Sequence, residues 1–178
     1  MTELASGALA PAPQSAPAAP ASTAAPRYTL GRGAIACAGV FLIIGVLAFC
    51  SYNLGLLLLL GSFGSSAVMV FTFPEIHFAQ PRSVVGGHVI CSAVGLAALA
   101  LFGPGWWSLA LAAAAATALM MLTRTLHPPA GSNPVIVFLA APKWSFLLFP
   151  TLFGALTMVG VALLYHRACR RAYPLYWR

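Results

Sequence analysis

Acidic residues are almost missing from this chain. It has no aspartate, and its glutamates are Glu3 and Glu75 alone. Chemistry that needs paired carboxylates, or a nucleophile with a base and an orienting acid, therefore lacks its equipment. No Gly-x-x-x-x-Gly-Lys-Ser/Thr run is present to cradle phosphate. These absences argue against an enzyme. Cysteine is sparse: Cys37, Cys50, Cys91 and Cys169 form no Cys-x-x-Cys pair, and three of them lie in apolar runs. They read as small packing residues rather than a disulfide framework. His77, His88, His127 and the cysteines show no metal-ligand spacing, so neither metal nor cofactor is expected. Charge of either sign makes up only 6% of the 178 residues, against about 25% in an ordinary soluble domain. So few charges cannot coat a solvated globule.

What is present is apolar surface. Hydrophobic residues make up 61% of the chain, and mean hydropathy is +0.92. No charged side chain occurs from Gly33 to Pro74, from Ser83 to Thr123, or from Trp144 to His166. A spanning helix needs about 20 mostly apolar residues. The fold class is thus an all-α, polytopic membrane helix bundle, with membrane lipid as its surroundings. The net charge of +7 does not indicate nucleic acid, because the basic residues flank apolar segments: Arg27 and Arg32 before the first, Arg167, Arg170, Arg171 and Arg178 after the last. That placement sets orientation and adds attraction to anionic lipid. The expected location is a cell membrane, a bacterial inner membrane, with both termini cytoplasmic.

Residues 1–30 form an Ala- and Pro-rich tail, expected to be disordered because it offers little apolar surface to offset ordering. Residues 31–166 form the membrane domain, and 167–178 a basic tail. The first crossing is expected from Gly33 to Cys50. The next apolar stretch, Leu54 to Phe73, is broken by Gly61-Ser62-Phe63-Gly64-Ser65-Ser66. Irregular backbone at membrane depth needs protein or a wet cavity around it. A span from Ser83 to Phe102 carries Ser83, Gly87, Cys91 and Gly95, a stripe that admits a close neighbouring helix. A Gly-Pro-Gly turn and the interfacial pair Trp106-Trp107 lead into an alanine-rich span ending near Thr123. After the polar run Thr123 to Pro134, the segment VIVFLAA is too short to cross about 30 Å of hydrocarbon. A last span runs from Trp144 to Tyr165.

Gly64-Ser65-Ser66-Ala67-Val68-Met69-Val70-Phe71 aligns with Gly131-Ser132-Asn133-Pro134-Val135-Ile136-Val137-Phe138 at an offset of 67. The chain thus reads as two tandem units of helix, broken helix, helix, with about four full spans plus two short or re-entrant segments. If the broken segments cross, there are six crossings, and Arg82 and Arg124 share a side with the termini. If they dip and return, there are four, and these arginines lie opposite. Paired broken helices are the architecture of many transporters. A helix that starts inside the membrane exposes unpaired N–H groups and partial positive charge, which suit an anion.

The run LTRTLHPPAGSNPVIVF, centred on His127-Pro128-Pro129, resembles the signature of the HPP family of integral membrane proteins. LLLGSFGSSAVMVF, AQPRSVVGGHVICSAVG and FLLFPTLFGALTMVGVALLYH are further matches, so the resemblance covers about residues 33–166. It implies about four membrane helices, and some plastid and cyanobacterial members are associated with nitrite transport. Asn133-Pro134 departs from the small residues such as Ala and Thr expected there. Pro134 still suits a first helical turn.

The candidate substrate-binding residues are Arg124, His127, Gly131, Ser132 and Asn133 in the second broken segment, Gly64, Ser65 and Ser66 in the first, and Arg82 and His88 around the intervening span. Pro128 and Pro129 are structural. In the functional reading, Arg124 and His127 join the Gly131, Ser132 and Asn133 amides around a small anion. In the bland one, Arg124 snorkels, His127 bonds a backbone carbonyl and Ser65 packs against a helix. Arg82 is either a loop anchor or an anion gate, and His88 is more often a satisfied buried histidine than a ligand. Glu75 is expected to pair with Arg82, and His77 and His166 to be interfacial. The leading function is a transporter or channel for a small inorganic anion, with nitrite the best guess by resemblance. The alternative is a non-transporting scaffold, sensor or lipid-binding subunit, with the Ser83 stripe as a homo-oligomer face. An intramembrane enzyme would require Ser65 or Ser132 bonded to His127 in a wet pocket.

Overall fold

The computed structural model describes residues 29–177. Its α-helices are α1 (Leu30–Asn53), α2 (Ser62–Thr72), α3 (Pro81–Phe102), α4 (Trp106–Leu122), α5 (Asn133–Ala140) and α6 (Phe153–Ala168). Most of the expected N-terminal tail lies outside the described residues. Thr29 caps α1, its Oγ1 accepting from Arg32 N at 3.3 Å.

The result is an all-α bundle with several apolar spans. Among the described residues, three stretches are long and apolar enough to cross a membrane: Leu30–Asn53, Pro81–Phe102 and Trp144–Ala168. The expected four full spans are reduced accordingly. α4 has 17 residues, about 26 Å at 1.5 Å per residue, and stops where Arg124 turns left-handed at φ +56°. The last stretch is itself interrupted. Trp144–Leu147 and Leu148–Leu152 are tight and wide turns around an extended Phe149, and regular helix begins only at Phe153.

The first broken segment is broken in a different place from the one its glycines and serines suggest. Gly61 leads straight into α2, and Ser62 to Ser66 are helical. The non-helical part is the preceding leucine run. Gly55, at φ +67°, turns the chain out of α1. Ser51 Oγ then accepts from Leu58 N at 3.1 Å and Leu59 N at 3.0 Å. Leu58 and Leu60 are buried while Leu57 and Leu59 are exposed, the two-residue alternation of extended backbone.

Small residues let the helices meet closely. A methyl group at Gly95 would lie 3.0 Å from Pro134 Cα of α5, and one at Gly87 would lie 2.8 Å from His127 Cβ. The Ser83 stripe is therefore covered from within the same chain rather than left as an oligomer face. Ala112 and Ala116 of α4 are likewise buried. A methyl group at Gly154 of α6 would meet Phe63 and lie 2.6 Å from Leu58 O.

Contacts gather one set of helix termini at one end. Tyr165 Oη donates to Ile35 O at 2.7 Å, His166 Nε2 donates to Val70 O at 3.1 Å, and Arg82 Nη2 donates to Thr123 O at 2.7 Å. The chain after α6 folds back over this end. Arg171 Nη1 donates to Phe71 O, Tyr173 Oη to Ala79 O, and Leu175 N to Gln80 Oε1. Burial pushes the Tyr173 phenol well above its ordinary value, so it remains a donor. Two interfacial expectations divide here: His77 is exposed, whereas His166 is fully buried and stacked on Phe71.

Candidate functional site

The two broken segments converge. Ser66 points inward from α2, and its Oγ lies 2.8 Å from His127 Nε2 and 3.3 Å from His88 Nε2. It also lies 3.1 Å from Ser62 O, one turn back. His88 comes from α3 and His127 from the extended chain before the Pro128–Ser132 turn. The two imidazoles are held from behind. His88 Nδ1 donates to Val84 O at 2.8 Å, and His127 Nδ1 to Phe78 O at 2.7 Å. A carbonyl only accepts, so each Nδ1 carries the ring hydrogen and each Nε2 faces Ser66 with its lone pair when the ring is neutral. Phe63 sets its ring edge against His88, centroids 4.9 Å apart.

The polar chain continues through the bundle. Asn133 Nδ2 donates to Ser92 Oγ at 2.9 Å and to His88 O at 3.3 Å, and Ser92 Oγ meets Thr151 Oγ1 at 3.0 Å. Ser66, His88, His127, Asn133, Ser92 and Thr151 are all fully buried. Within this buried core Ser62 Oγ and Asn133 Oδ1 have no hydrogen-bond partner among the described residues. Such orphaned polar atoms are uncommon and costly.

Near this junction, at the end bearing the chain's folded-back C-terminus, is a cavity of about 450 Å³ lined by His77, Arg82, Ser83, Met121, Arg124, Leu126 and Tyr176. Among the described residues, no carboxylate lines it. Arg82 commits one N–H to Thr123 O and keeps others free. Glu75 does not pair with Arg82 as expected. It lies 4.0 Å from Arg32, both side chains exposed. The floor of the cavity adjoins the polar core along the chain: Leu126 precedes His127, and Ser83 stands one helical turn before Gly87, which touches His127.

The candidate residues thus divide into three groups. Ser66, His88, His127 and Asn133 meet in the core. Arg82 and Arg124 meet at the cavity. Gly64, Ser65 and Ser132 face outward and Gly131 is half-buried, Ser132 Oγ bonding its own turn at Pro129 O. The amides expected to cradle an anion are partly used: Gly64 N donates to Gly61 O, and Asn133 N to Ala130 O. The enzyme arrangement is also absent. The serine on His127 is Ser66, it is dry, and the far nitrogen of His127 meets a carbonyl rather than an acid. No group of three or more His, Cys, Asp or Glu suited to a metal occurs among the described residues. The sequence reading missed Ser92, Thr151 and Gln80. Ser92 was findable, since it follows His88 by four residues and so shares its helix face.

Comparison with known proteins agrees with this architecture. The family model described as HPP, transmembrane region, matches residues 25–174. A transmembrane protein of Dictyostelium discoideum is 38% identical over 128 residues, covering 67% of this chain and 45% of the relative. A second transmembrane protein of that organism is 33% identical over 150 residues, covering 77% of this chain and 48% of the relative. The chain spans about half the length of these curated relatives. No solved structure matches. From the His127-Pro128-Pro129 segment at its centre to the helices that enclose it, the chain belongs to the HPP family of integral membrane proteins.

Proposed function

We propose that the protein is a membrane transporter for a small inorganic anion and that this structure is its closed form. The observation that carries the reading is the cavity lined by both Arg82 and Arg124, with no carboxylate among its described lining residues, next to a buried junction of both broken segments. Two guanidinium groups attract an anion by on the order of 1 kcal/mol each in a solvated site. The amide and hydroxyl groups of the core would take over its hydration once the seal opens. Leu126 and the contacts of Gly86 with Thr125 and of Gly87 with His127 form that seal.

In this reading each broken segment crosses as irregular chain followed by a short helix, over residues 54–72 and 125–140, giving six crossings in two inverted units. Burial supports the repeat. Ser66 and Asn133 are both buried, Ser65 and Ser132 both exposed, Val68 and Val135 both exposed, and Val70 and Val137 both buried. Arg32, Arg82, Arg124, Arg167, Arg170 and Arg171 then share the cytoplasmic side with the termini, and Lys143 lies opposite. Nitrite heads the substrate panel because of the family resemblance. The sealed packing of His127 favours one other reading, a non-transporting scaffold, sensor or lipid-binding subunit.

Uptake by reconstituted vesicles separates the two. Nitrite, nitrate, chloride and formate are offered with and without a pH gradient. Transport predicts saturable uptake of at least one anion, abolished by Arg124→Ala with insertion intact. Uptake of none, at the level of protein-free vesicles, contradicts it.

A further inference from the structure

We infer that Ser66, His88 and His127 form one proton-binding site that moves a proton between α3 and the extended segment before α5 and couples it to the anion. The inference rests on the transport reading for its coupling and on hydrogen counting for the site itself. Both Nδ1 atoms spend their hydrogens on carbonyls. Two bare Nε2 atoms and the Ser62 carbonyl oxygen therefore converge on the Ser66 hydroxyl, which has one hydrogen. With both rings neutral, that hydrogen goes to His127 at 2.8 Å. His88 Nε2, at 3.3 Å, then faces an oxygen lone pair, and a fully buried acceptor is left unmade.

One added proton completes the set. His88 Nε2–H donates to Ser66 Oγ, and Ser66 O–H donates to His127 Nε2. In the mirror arrangement His127 Nε2–H donates to Ser66 Oγ, and Ser66 O–H donates to His88 Nε2. Passing from the first to the second breaks the His88 N–H bond and the Ser66 O–H bond. It forms a new Ser66 O–H bond and a His127 N–H bond. The net event is one proton moved from α3 to the segment before α5, with nothing oxidised or reduced.

Among the described residues, no fixed charge compensates that proton. From α2 the site is faced by Ser62, Ser66 and Phe63, and from α5 by Asn133. α3 itself offers Cys91 one turn on, its thiol toward Met120 of α4, and the exposed Arg82 at its start. His77 is exposed beside Phe78. α6 brings His166, which turns to Val70 O, and the turn before it brings Thr151, bonded to Ser92. Glu75 is exposed against Arg32. A charge in apolar surroundings without a partner is expensive. An anion arriving from the Arg82–Arg124 cavity is the missing counter-ion, so proton and anion occupy the site together and leave together.

Solid-state NMR of the full chain, labelled with ¹⁵N-histidine in bilayers with sodium nitrite, tests the site. His88→Gln and His127→Gln assign the signals. Between about pH 8 and pH 5, the wild type should acquire one Nε2 proton averaged over both rings. Ser66→Ala should abolish the averaging, and Ser66→Thr, which keeps the hydroxyl, should restore it. Two Nε2 atoms that stay bare, or that titrate independently in the wild type, overturn the inference. Wild-type vesicles containing a pH dye test the coupling. One proton should enter per nitrite above the protein-free background. Nitrite entry without acidification overturns the coupling and leaves anion transport standing. A shared proton with no entry of nitrite, nitrate, chloride or formate supports the proton site and removes the transport reading.

Discussion

Arg124 occupies left-handed backbone, φ +56°, where the chain leaves α4. That conformation costs a non-glycine residue roughly 1–2 kcal/mol, yet an arginine is there and not a glycine. Its charge at the cavity is a reason to tolerate the strain. Arg124→Gly separates the two effects. Thermal stability in detergent should be unchanged or higher by up to about 1 kcal/mol, while uptake of the proposed anion falls to background. A large loss of stability would mean that the guanidinium is a structural brace. Ser66 carries a different lesson at this scale. The alignment of the two broken segments singled out Gly64-Ser65-Ser66, but not which of the two serines turns inward. Only Ser66 does, because α2 starts at Ser62 and its helical phase puts Ser66 on the face of Phe63 and Val70.

At the scale of elements, glycines divide into two kinds. Gly64 has nothing within 4 Å of an added methyl group, and Gly95 has the Pro134 backbone at 3.0 Å. Gly64→Ala should therefore be neutral or stabilise α2 by up to about 1 kcal/mol. Gly95→Val should force α3 and α5 apart and cost about 1–3 kcal/mol. Thermal unfolding of the two variants in one detergent checks both, and equal effects would contradict the packing described. This stripe was readable in the sequence because small residues every four positions have few other uses in lipid. The conformation of Leu54–Leu60 was not readable. Leucine is a good helix former, and the Ser51 hydroxyl that captures Leu58 N and Leu59 N comes from the preceding helix. The interruption at Phe149 was hidden for a similar reason: one proline in an apolar run is compatible with a kinked span. The shortness of α5, by contrast, was plain between Pro134 and Pro142.

For the whole molecule, membrane residence followed from composition, since so few charges leave no soluble alternative. Identification of the buried core needed three dimensions. Ser66, His88 and His127 are dispersed along the sequence and meet only when α2, α3 and the segment before α5 are packed together, and Thr151 joins them through Ser92 and Asn133. If both broken segments cross, as proposed, the basic cavity lies on the side of the termini and the turns at Gly103 and Lys143 lie on the other. Single cysteines introduced for Arg82, Arg124, Gly103 and Lys143, in a chain with its native cysteines replaced by alanine, read this out with an impermeant thiol reagent in oriented vesicles. Arg82→Cys and Arg124→Cys should be labelled from the side that labels a terminal tag, and Gly103→Cys and Lys143→Cys from the opposite side. Labelling of Arg82→Cys and Arg124→Cys from the side opposite the tag would mean four crossings and would contradict the account.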